Sequence, residues 1–390
     1  MPLALAVVAI AGIAGCGRFS SRSAADTSAV VHSDSVLLPE EKAALWADSM
    51  MHAMSLQLRV GQLFMPAVYS SSDIPTLNLI RDFADRQGVG GIILLKGDVV
   101  SAASIADSLS QLAQCPLFIA IDAETGLSMR LADAPSFLWN ADISHEADSA
   151  DLYTYGREIA RECRLTGINM VLGPVLDVTP EEGVTMADRR AARISRMRSF
   201  GSDPKRVAAL GVAYARGLED GGVISVAKHF PGHGAARTDS HKGLATVDLS
   251  AQELWNRDLL PFRRYVSNGL SGVMTGHIYA PSLDSVRRPA SASREISFNL
   301  LRRKLGFKGL VLTDAMNMDG AGGYTSLDAI MAGADIIIAP RHTEREISSI
   351  VEAVEKGYLS EAVVNDRCRR ILIYKYLNRL PFTSRRNDTA

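Results

Sequence analysis

Short apolar runs rich in Val, Ile and Leu recur along most of the chain. They are apolar at nearly every position and do not alternate with polar residues, which is typical of parallel strands buried on both faces. The pattern predicts eight strands, within residues 62–68, 89–95, 117–122, 168–175, 223–228, 272–278, 309–315 and 334–340.

Amphipathic segments of helical length separate these runs. The clearest cover residues 101–114, 147–166, 203–221 and 252–268. Asp203 and Pro204 suit a helix start, because an acidic N-cap accepts backbone N–H bonds and Pro is tolerated at the first helical position. Gly167 and Gly221 follow two of these segments, where many helices end in a left-handed glycine.

Eight alternations of strand and helix predict an α/β fold, a (β/α)8 TIM-type barrel in a single domain. A doubly wound open sheet is the alternative. That fold would carry a Gly-rich phosphate loop after its first strand, but neither G-x-G-x-x-G nor G-x-x-x-x-G-K-[ST] occurs in the sequence. The barrel is therefore favoured.

Polar residues cluster at the carboxyl ends of the predicted strands, where the loops of a barrel line one mouth. A charged side chain there is costly unless it meets solvent, a partner or a ligand. Any one of them could be a helix N-cap or a rim salt bridge, but their recurrence on five strands indicates a functional site. The residues are Asp122, Asp177, Lys228, His229, His277 and Asp314.

The densest group of such residues lies at 227–241 (AKHFPGHGAARTDSH). Three histidines and an aspartate could bind zinc, but a Pro-Gly pair separates the first two histidines, so no regular helix presents both. Asp239 and His241 suit proton transfer better, because a carboxylate two residues from an imidazole can fix its tautomer and raise its basicity. An acid/base pair is favoured over a metal site or a purely structural loop.

Composition narrows the function classes. The chain has 390 residues, 47% of them hydrophobic, which suits one large α/β domain or two ordinary ones. Its 42 Lys and Arg balance 43 Asp and Glu, which argues against a nucleic-acid binder. The 4 cysteines lack C-x-x-C spacing, and Cys115, Cys163 and Cys368 are predicted to be small buried hydrophobes.

The amino-terminal residues resemble an export signal. Residues 2–15 are apolar and uncharged, a run too short to span a bilayer comfortably but suited to a signal peptide, and IAGC (13–16) resembles a lipobox. We expect a lipoprotein signal segment at 1–16 with lipidation at Cys16. A plain hydrophobic end is the alternative.

A Ser- and Ala-rich segment without periodicity follows, as in a flexible tether. We expect a tether at 17–40, the catalytic domain at 41–382 and a polar tail at 383–390. A lipid on Cys16 would anchor the protein to a membrane without spanning it. The expected location is the bacterial cell envelope, on the periplasmic or outer surface.

One motif resembles the signature of the family-3 glycoside hydrolases of the β-N-acetylglucosaminidase branch. It is KHFPGHG (228–234), followed by D-x-H (239–241). Further motifs follow in the family's order, and the resemblance covers about 45–380. They include IDAETG (121–126), GPVLDV (173–178), RSFG (198–201), MTGH (274–277) and TDAM (313–316).

The resemblance implies a catalytic barrel that removes terminal β-linked N-acetylglucosamine (GlcNAc) with retention at the anomeric carbon. It implies Asp314 as the nucleophile of a glycosyl-enzyme intermediate, His241 as general acid/base and Asp239 as its orienting partner. It also implies a set of sugar-holding residues, namely Asp122, Arg130, Arg198, Lys228 and His229. The expected partner is a GlcNAc-containing glycan, a peptidoglycan fragment or chito-oligosaccharide, and we expect a monomer without cofactor or metal.

Three features depart from the family pattern. The acidic turn carries Ala123, Thr125 and Leu127 where the family more often has Gln or Gly, Gly and a second Arg. Residues 180–197 are longer and more basic than the family's loop. They are expected to form a solvated surface helix, and the alternatives are a lid or a contact to an acidic peptidoglycan fragment. The chain also ends soon after the barrel, without the second domain that supplies a Glu in β-glucosidases, so we expect the His-based branch.

Two other functions stay open at this point. One is a β-N-acetylglucosaminide phosphorylase, because a His/Asp pair leaves less negative charge near an incoming phosphate than Glu would. The other is a catalytically inactive glycan-binding lipoprotein. The unusual acidic turn favours it, whereas the intact Asp314, Asp239 and His241 oppose it.

Overall fold

A computed structural model describes residues 37–380, except 72, 114, 181–188 and 237–242. Each of the eight predicted apolar runs overlaps a strand. The strands are β1 (Phe64–Met65), β2 (Ala67–Ser70), β3 (Gly91–Gly97), β4 (Phe118–Ile121), β5 (Met170–Val171), β6 (Ile224–Phe230), β7 (Ala245–Thr246), β8 (Gly272–Thr275), β9 (Ile278–Tyr279), β10 (Leu310–Thr313) and β11 (Ile337–Ile338).

Helices alternate with these strands, and no helix among the described residues has both the length and the apolar composition to cross a bilayer. Residues Asp82–Gln87 and Glu295–Lys304 are π-helical. The α-helices are α1 (Pro39–Ala53), α2 (Leu56–Gly61), α3 (Ile74–Arg81), α4 (Val99–Leu112), α5 (Asn140–Ser144), α6 (Ser149–Leu165), α7 (Arg189–Arg198), α8 (Pro204–Asp220), α9 (Ala251–Asn256), α10 (Leu259–Ser267), α11 (Ser326–Ala332), α12 (Thr343–Glu355) and α13 (Glu361–Leu377).

The main sheet is parallel and forms a half-barrel. Its strands lie in the order β10-β8-β6-β5-β4-β3-β2, while β1 pairs in parallel with β11 in a separate two-stranded sheet. A small ladder between β7 and β9 was not expected from the sequence. The parallel α/β class is therefore confirmed, but a closed (β/α)8 barrel is not.

Pro66 is the physical reason for part of this difference. The sequence predicts one strand over 62–68, but Pro66 has no backbone N–H to donate and stands between β1 and β2. The two halves pair on opposite sides, β1 with β11 and β2 with β3. Every residue of the longer strand β6 is buried, as expected for a parallel strand covered on both faces.

Three of the predicted helices match α4, α6 and α8 to within two residues at each end. The fourth, predicted over 252–268, is divided into α9 and α10. Pro261 explains the division, because a proline ring conflicts with the carbonyl four residues earlier, here that of Arg257. Arg257 and Asp258 form the break between the two helices.

The predicted helix ends are mostly as expected. Asp203 caps α8, accepting the Lys205 N–H at 2.9 Å, and Gly167 after α6 has a left-handed φ of 72°. The prediction for Gly221 was wrong by one residue. Gly221 has φ −79°, and the left-handed residue after α8 is Gly222, with φ 78°.

The three cysteines of the folded domain are buried and free, as predicted. Burial raises the pKa of the Cys163 thiol and raises that of Cys368 to about 12. Buried protonated thiols are poor nucleophiles, so these side chains act as small apolar groups.

The amino-terminal boundary of the fold differs slightly from the expected one. Helix α1 begins at Pro39, so the predicted tether at 17–40 includes the first two residues of this helix. The predicted lipidation site at Cys16 and the predicted acid/base pair of Asp239 and His241 lie outside the described residues.

Candidate active site

A cavity of about 470 Å³ lies at the carboxyl ends of the main sheet's strands. Its volume suits a small ligand such as one or two sugar rings. Asp122 directly follows β4, Lys228 and His229 lie near the end of β6, and Asp314 directly follows β10. The cavity is lined by six predicted site residues, namely Asp122, Arg130, Arg198, Lys228, His229 and Asp314.

Lys228 lies at the centre of a buried ion network. Its Nζ is 2.7 Å from Asp122 Oδ1 and 2.6 Å from Glu124 Oε1, and the residue is only 2% exposed. Arg130 donates from Nη2 to the other oxygen of Asp122. A buried charge is tolerated only when it is paired and hydrogen-bonded, so the lysine depends on both carboxylates.

Arg198 enters the same network from the last residue of α7. Its Nε and Nη2 donate to the two carboxylate oxygens of Glu124, at 2.9 and 2.7 Å. Such a two-point bond fixes the plane of the guanidinium as well as its position. The end of α7 is thereby attached to the turn that follows β4.

The network keeps its two carboxylates ionised. Burial alone would raise the pKa of Glu124, but Arg198 and Lys228 outweigh it and lower the pKa to about 2. Burial opposes ionisation of Asp122 as well, and Lys228 and Arg130 hold the pKa of that carboxyl well below its usual range. Fixed charges of both signs therefore face the cavity at neutral pH.

Asp177 organises the turn that follows β6. One of its oxygens accepts the backbone N–H groups of His229 (3.2 Å) and His233 (2.7 Å), and the other lies 2.7 Å from His229 Nδ1. A carboxylate oxygen can only accept, so His229 Nδ1 carries the hydrogen of this bond. Burial lowers the pKa of His233, so its ring is mainly neutral at pH 7.

Asp314 is 9% exposed and lines the cavity. Its Oδ1 accepts the N–H of Ala315 at 2.9 Å, and no hydrogen bond from a described residue reaches its Oδ2. Burial raises the pKa of this carboxyl, but the imidazoles of His277 and His229, the Ala315 N–H and Lys228 together hold the pKa below its usual range. An ionised carboxylate can act as a nucleophile through an oxygen that accepts no hydrogen bond from the described residues.

Helix α7 shows which surfaces the described part of the basic segment 180–197 contacts. Ile194, Ser195 and Arg198 lie on one face of the helix and line the cavity. Arg193 and Arg196 are exposed and fall on the opposite face by helical geometry. The described part of the segment is both a cavity wall and a solvated surface.

Three ionisable cavity residues received no specific role from the sequence, namely Glu124, Asp177 and His233. Charge balance gives a usable signal for Glu124. Two buried cations, Lys228 and Arg198, need more than the single negative charge of Asp122 to balance them. Glu124 is the other acid of the same turn. Asp177 was noted only as a strand-end acid, because its histidine partners lie more than fifty positions away in the chain.

The predicted acid/base pair, Asp239 and His241, belongs to residues 237–242, outside the described part of the chain. Within the described ranges, no group of three or more His, Cys, Asp or Glu side chains is placed to hold a metal ion. The His229 and His233 rings are 5.8 Å apart between centroids and pack edge to face.

Comparison with known proteins gives consistent matches. Beta-hexosaminidase A of Pseudoalteromonas piscicida is 31% identical over 343 residues, which cover 78% of this chain and 56% of that protein. A beta-hexosaminidase of Nitrosomonas eutropha is 32% identical over 265 residues, covering 64% and 73%. The structure of a glycoside hydrolase family 3 beta-N-acetylglucosaminidase from Paenibacillus sp. str. FPU-7 superposes with a TM-score of 0.75 at 29% identity, covering 86% and 65%.

The chain thus spans little more than half the length of the Pseudoalteromonas relative. The model of the glycosyl hydrolase family 3 N terminal domain matches residues 55–373, which is most of the chain and includes all the cavity residues named above. This chain belongs to glycosyl hydrolase family 3.

Proposed function

We propose that this chain is a retaining exo-β-N-acetylglucosaminidase that removes terminal β-linked GlcNAc from peptidoglycan fragments or chito-oligosaccharides. The observation that carries the proposal is one cavity that holds both the ionised Asp314 and a buried network of cations and carboxylates. The similarity to proteins named as β-hexosaminidases and as a β-N-acetylglucosaminidase supports the choice of sugar.

In this proposal Asp314 attacks the anomeric carbon. Its Oδ2 forms a bond to that carbon while the bond to the leaving oxygen breaks, which gives a covalent glycosyl ester. Water then attacks the same carbon, and the carboxylate leaves. Two inversions give net retention of the β configuration.

The buried ion network would hold the terminal sugar. Asp122 can accept from sugar hydroxyl groups, while Arg130, Arg198 and Lys228 can donate to their oxygens. Because the charges are already paired and fixed before substrate binds, little reorganisation is needed when the sugar enters. His229 can hydrogen-bond a further hydroxyl group through Nε2.

The acid/base role is proposed for His241, oriented by Asp239. The sequence pattern supports it, as does the chain path, since the six residues 237–242 come four positions after His233, which lines the cavity. His241 would give a proton to the leaving oxygen in the first step and take one from water in the second.

The first test is the turnover of 4-nitrophenyl β-GlcNAc by the wild type, Asp314→Ala and Asp319→Asn. We expect the wild type to be active and Asp314→Ala to lose turnover by a factor of about 10³ or more, because the covalent route is removed. Asp319 is an exposed carboxylate outside the cavity, so its variant should match the wild type. An Asp314→Ala enzyme with normal turnover would reject the proposal.

The second test identifies the product. Proton NMR should show β-GlcNAc as the first-formed anomer, and a 5-fluoro sugar should leave an adduct on Asp314 by mass spectrometry. Formation of GlcNAc-1-phosphate only when phosphate is present would instead favour the phosphorylase. Binding of GlcNAc without turnover would favour an inactive glycan-binding protein.

The natural substrate needs a separate comparison. We infer peptidoglycan fragments or chito-oligosaccharides as the two candidate classes, and GlcNAc-MurNAc-peptide and chitobiose represent them. Hydrolysis of both, run side by side at equal concentrations, would rank the two classes by kcat/KM. Hydrolysis of neither would limit the proposal to synthetic substrates.

We also infer that the two sheets close into a (β/α)8 barrel. The Thr313 N–H donates to the Ile336 carbonyl at 3.0 Å, which brings the segment before β11 next to β10. On the other side, the Gly90 N–H donates to the Phe64 carbonyl at 3.0 Å, which joins β1 to the start of β3. A crystal structure with continuous ladders across both seams would support closure, and an open seam would contradict it.

Lipid anchoring at Cys16 remains part of the proposal. We expect wild-type protein expressed in a bacterial host to incorporate an alkyne fatty acid and to sediment with membranes. Cys16→Ala should do neither, whereas Cys16 left unlabelled in the wild type would reject the anchor. Protease accessibility in intact and permeabilised cells would then separate the periplasmic from the outer surface.

A further inference from the structure

His277 follows β8, is fully buried and takes part in two hydrogen bonds. Its Nδ1 lies 2.8 Å from Ser291 Oγ, and its Nε2 lies 3.0 Å from the carbonyl oxygen of Ala315. A carbonyl oxygen can only accept, so Nε2 carries a hydrogen and donates it to Ala315, while Nδ1 and the Ser291 hydroxyl hydrogen-bond each other. The two partners therefore fix the orientation of the imidazole.

Ala315 connects this imidazole to Asp314. The Ala315 N–H donates to Asp314 Oδ1 at 2.9 Å, while the Asp314 N–H donates to the carbonyl of Thr275 on the neighbouring strand, also at 2.9 Å. His277 thus bonds the carbonyl of Ala315, and the N–H of Ala315 bonds the Asp314 carboxylate. A shift of the imidazole would be transmitted to Asp314 through one residue.

We propose that His277 and Ser291 are positioning residues for Asp314, an inference that rests on the proposed glycosidase function. In the described part of the chain His277 does not line the cavity, so it would act through Ala315 and not on the sugar. A nucleophile must lie close to its attack geometry, and a displacement of about 1 Å can cost about 10²-fold in rate.

The imidazole also affects the charge of Asp314. Burial opposes ionisation of this carboxyl, and the groups that favour it are His277, His229, the Ala315 N–H and Lys228. Loss of His277 should therefore raise the pKa of Asp314. This gives a readout that a purely structural role would not change.

The test compares three variants on 4-nitrophenyl β-GlcNAc. His277→Leu should lower kcat about 10²-fold with KM nearly unchanged, because positioning is lost but sugar binding is kept. His277→Gln keeps an N–H donor for Ala315 and should recover most of kcat. Both variants should shift the acid limb of the kcat/KM profile to higher pH, whereas Ser291→Ala should lower kcat without that shift.

His52→Gln, an exposed histidine in α1, is the matched control and should behave as the wild type. If His277→Leu fails to fold, the kcat values and pH profiles of His277→Gln and Ser291→Ala decide the test. The proposal is overturned if both have wild-type kcat and the His277→Gln acid limb is unshifted.

Failure of the proposed function looks different. In that case the wild type shows no turnover, or Asp314→Ala keeps it. Only the positioning role is rejected if wild-type turnover is lost in Asp314→Ala, Ser291→Ala keeps the wild-type kcat, and the acid limb of His277→Gln is unshifted.

Discussion

The charges of Glu124 and Lys228 depend on each other. Lys228 is almost fully buried, and its two carboxylate partners both lie in the turn after β4. Removing one partner of a buried pair leaves an uncompensated charge, which costs more than the pair contributes in net stability. Glu124 therefore serves the fold and the site together.

The pH dependence of stability tests this role of Glu124. Its pKa is about 2 in the fold against an ordinary 4.5, so its contribution is present above pH 4.5 and is lost as the pH falls through 2. By linkage the free energy of unfolding should fall by about 3 kcal/mol across this window on account of Glu124. Urea unfolding from pH 5 to 2 should show a shallower decline in Glu124→Gln.

The exposed Glu40→Gln is the control for that experiment and should retain the wild-type slope. Equal slopes in the wild type and Glu124→Gln would show that other carboxylates carry the acid sensitivity. Asp122 also has a depressed pKa, so some decline should remain in the variant.

At the scale of single residues, the sequence predicts which residues belong to the site better than it predicts which of them bond to each other. Asp122, Lys228 and Asp314 were recognised because polar residues at the ends of apolar strands are costly unless used. The pairing of Arg198 with Glu124 joins residues 74 positions apart, and no local pattern encodes it. For the same reason the link from His277 to Ala315 is visible only in three dimensions.

Helix α7 shows the same limit at the scale of an element. Its arginines suggested either a solvated helix or a lid, and periodicity alone could not decide which face meets the cavity. The structure places Ile194 on the cavity side, where the side chain is 43% exposed. An exposed apolar side chain in a cavity wall is suited to cover the apolar face of a sugar ring.

Substitution of Ile194 should therefore affect binding more than chemistry. Partial burial of an Ile against substrate is worth about 1 kcal/mol, so Ile194→Ala should raise KM about fivefold with kcat unchanged. Arg193→Ala, one residue away on the outer face, should have wild-type constants. Steady-state kinetics on chitobiose would check both, and a KM effect of Arg193→Ala equal to that of Ile194→Ala would contradict this assignment of faces.

The turn that leads out of β6 depends on a close backbone approach at Gly234. A Cβ added there would lie 1.9 Å from the Val178 carbonyl oxygen, so the chain would have to move. We expect Gly234→Ala to lower kcat/KM by about 10²-fold, because displacing this turn also displaces His233, which lines the cavity.

Gly269→Ala is the comparison for that variant. Gly269 has φ 70° and open space around it, so alanine there adds backbone strain of about 1 kcal/mol without a clash. Its unfolding midpoint should fall while kcat/KM stays unchanged. Similar kinetic losses in both variants would show that general destabilisation, not the turn, explains the effect at Gly234.

Elements were predicted well wherever a run of apolar residues was uninterrupted. Two of the departures occur at prolines. At Pro66 and Pro261 the hydrophobic pattern continues, but the missing N–H and the ring divide the strand and the helix. Periodicity describes which face is buried, whereas backbone hydrogen bonding decides where an element breaks.

At the scale of the whole molecule, the two ends of the strands have different roles. The cavity lies at the carboxyl ends, while a second buried ion cluster lies around Asp335, just before β11. Asp335 is fully buried and accepts from Arg370 Nη1 at 2.6 Å and from the Val311 N–H at 2.7 Å, and it also bonds Arg302. This separation of stability from chemistry is common in parallel α/β folds.

Asp335→Asn should therefore destabilise the protein without changing the chemistry. Leaving the buried arginines without their counter-charge should cost about 3–5 kcal/mol in the free energy of unfolding, measured by urea titration. The kcat per folded enzyme should stay at the wild-type value. Asp366→Asn, at a largely exposed partner of Arg370, should change stability by less than about 1 kcal/mol, and equal losses in the two variants would contradict the argument.

The small volume of the cavity has a kinetic consequence. In the proposed glycosidase, a cavity of about 470 Å³ holds one or two sugar rings, so a longer glycan would be held there mainly through its terminal sugar. Every cleavage event should then be followed by complete dissociation, and intermediates shortened by one unit at a time should accumulate in the medium before any molecule is fully degraded.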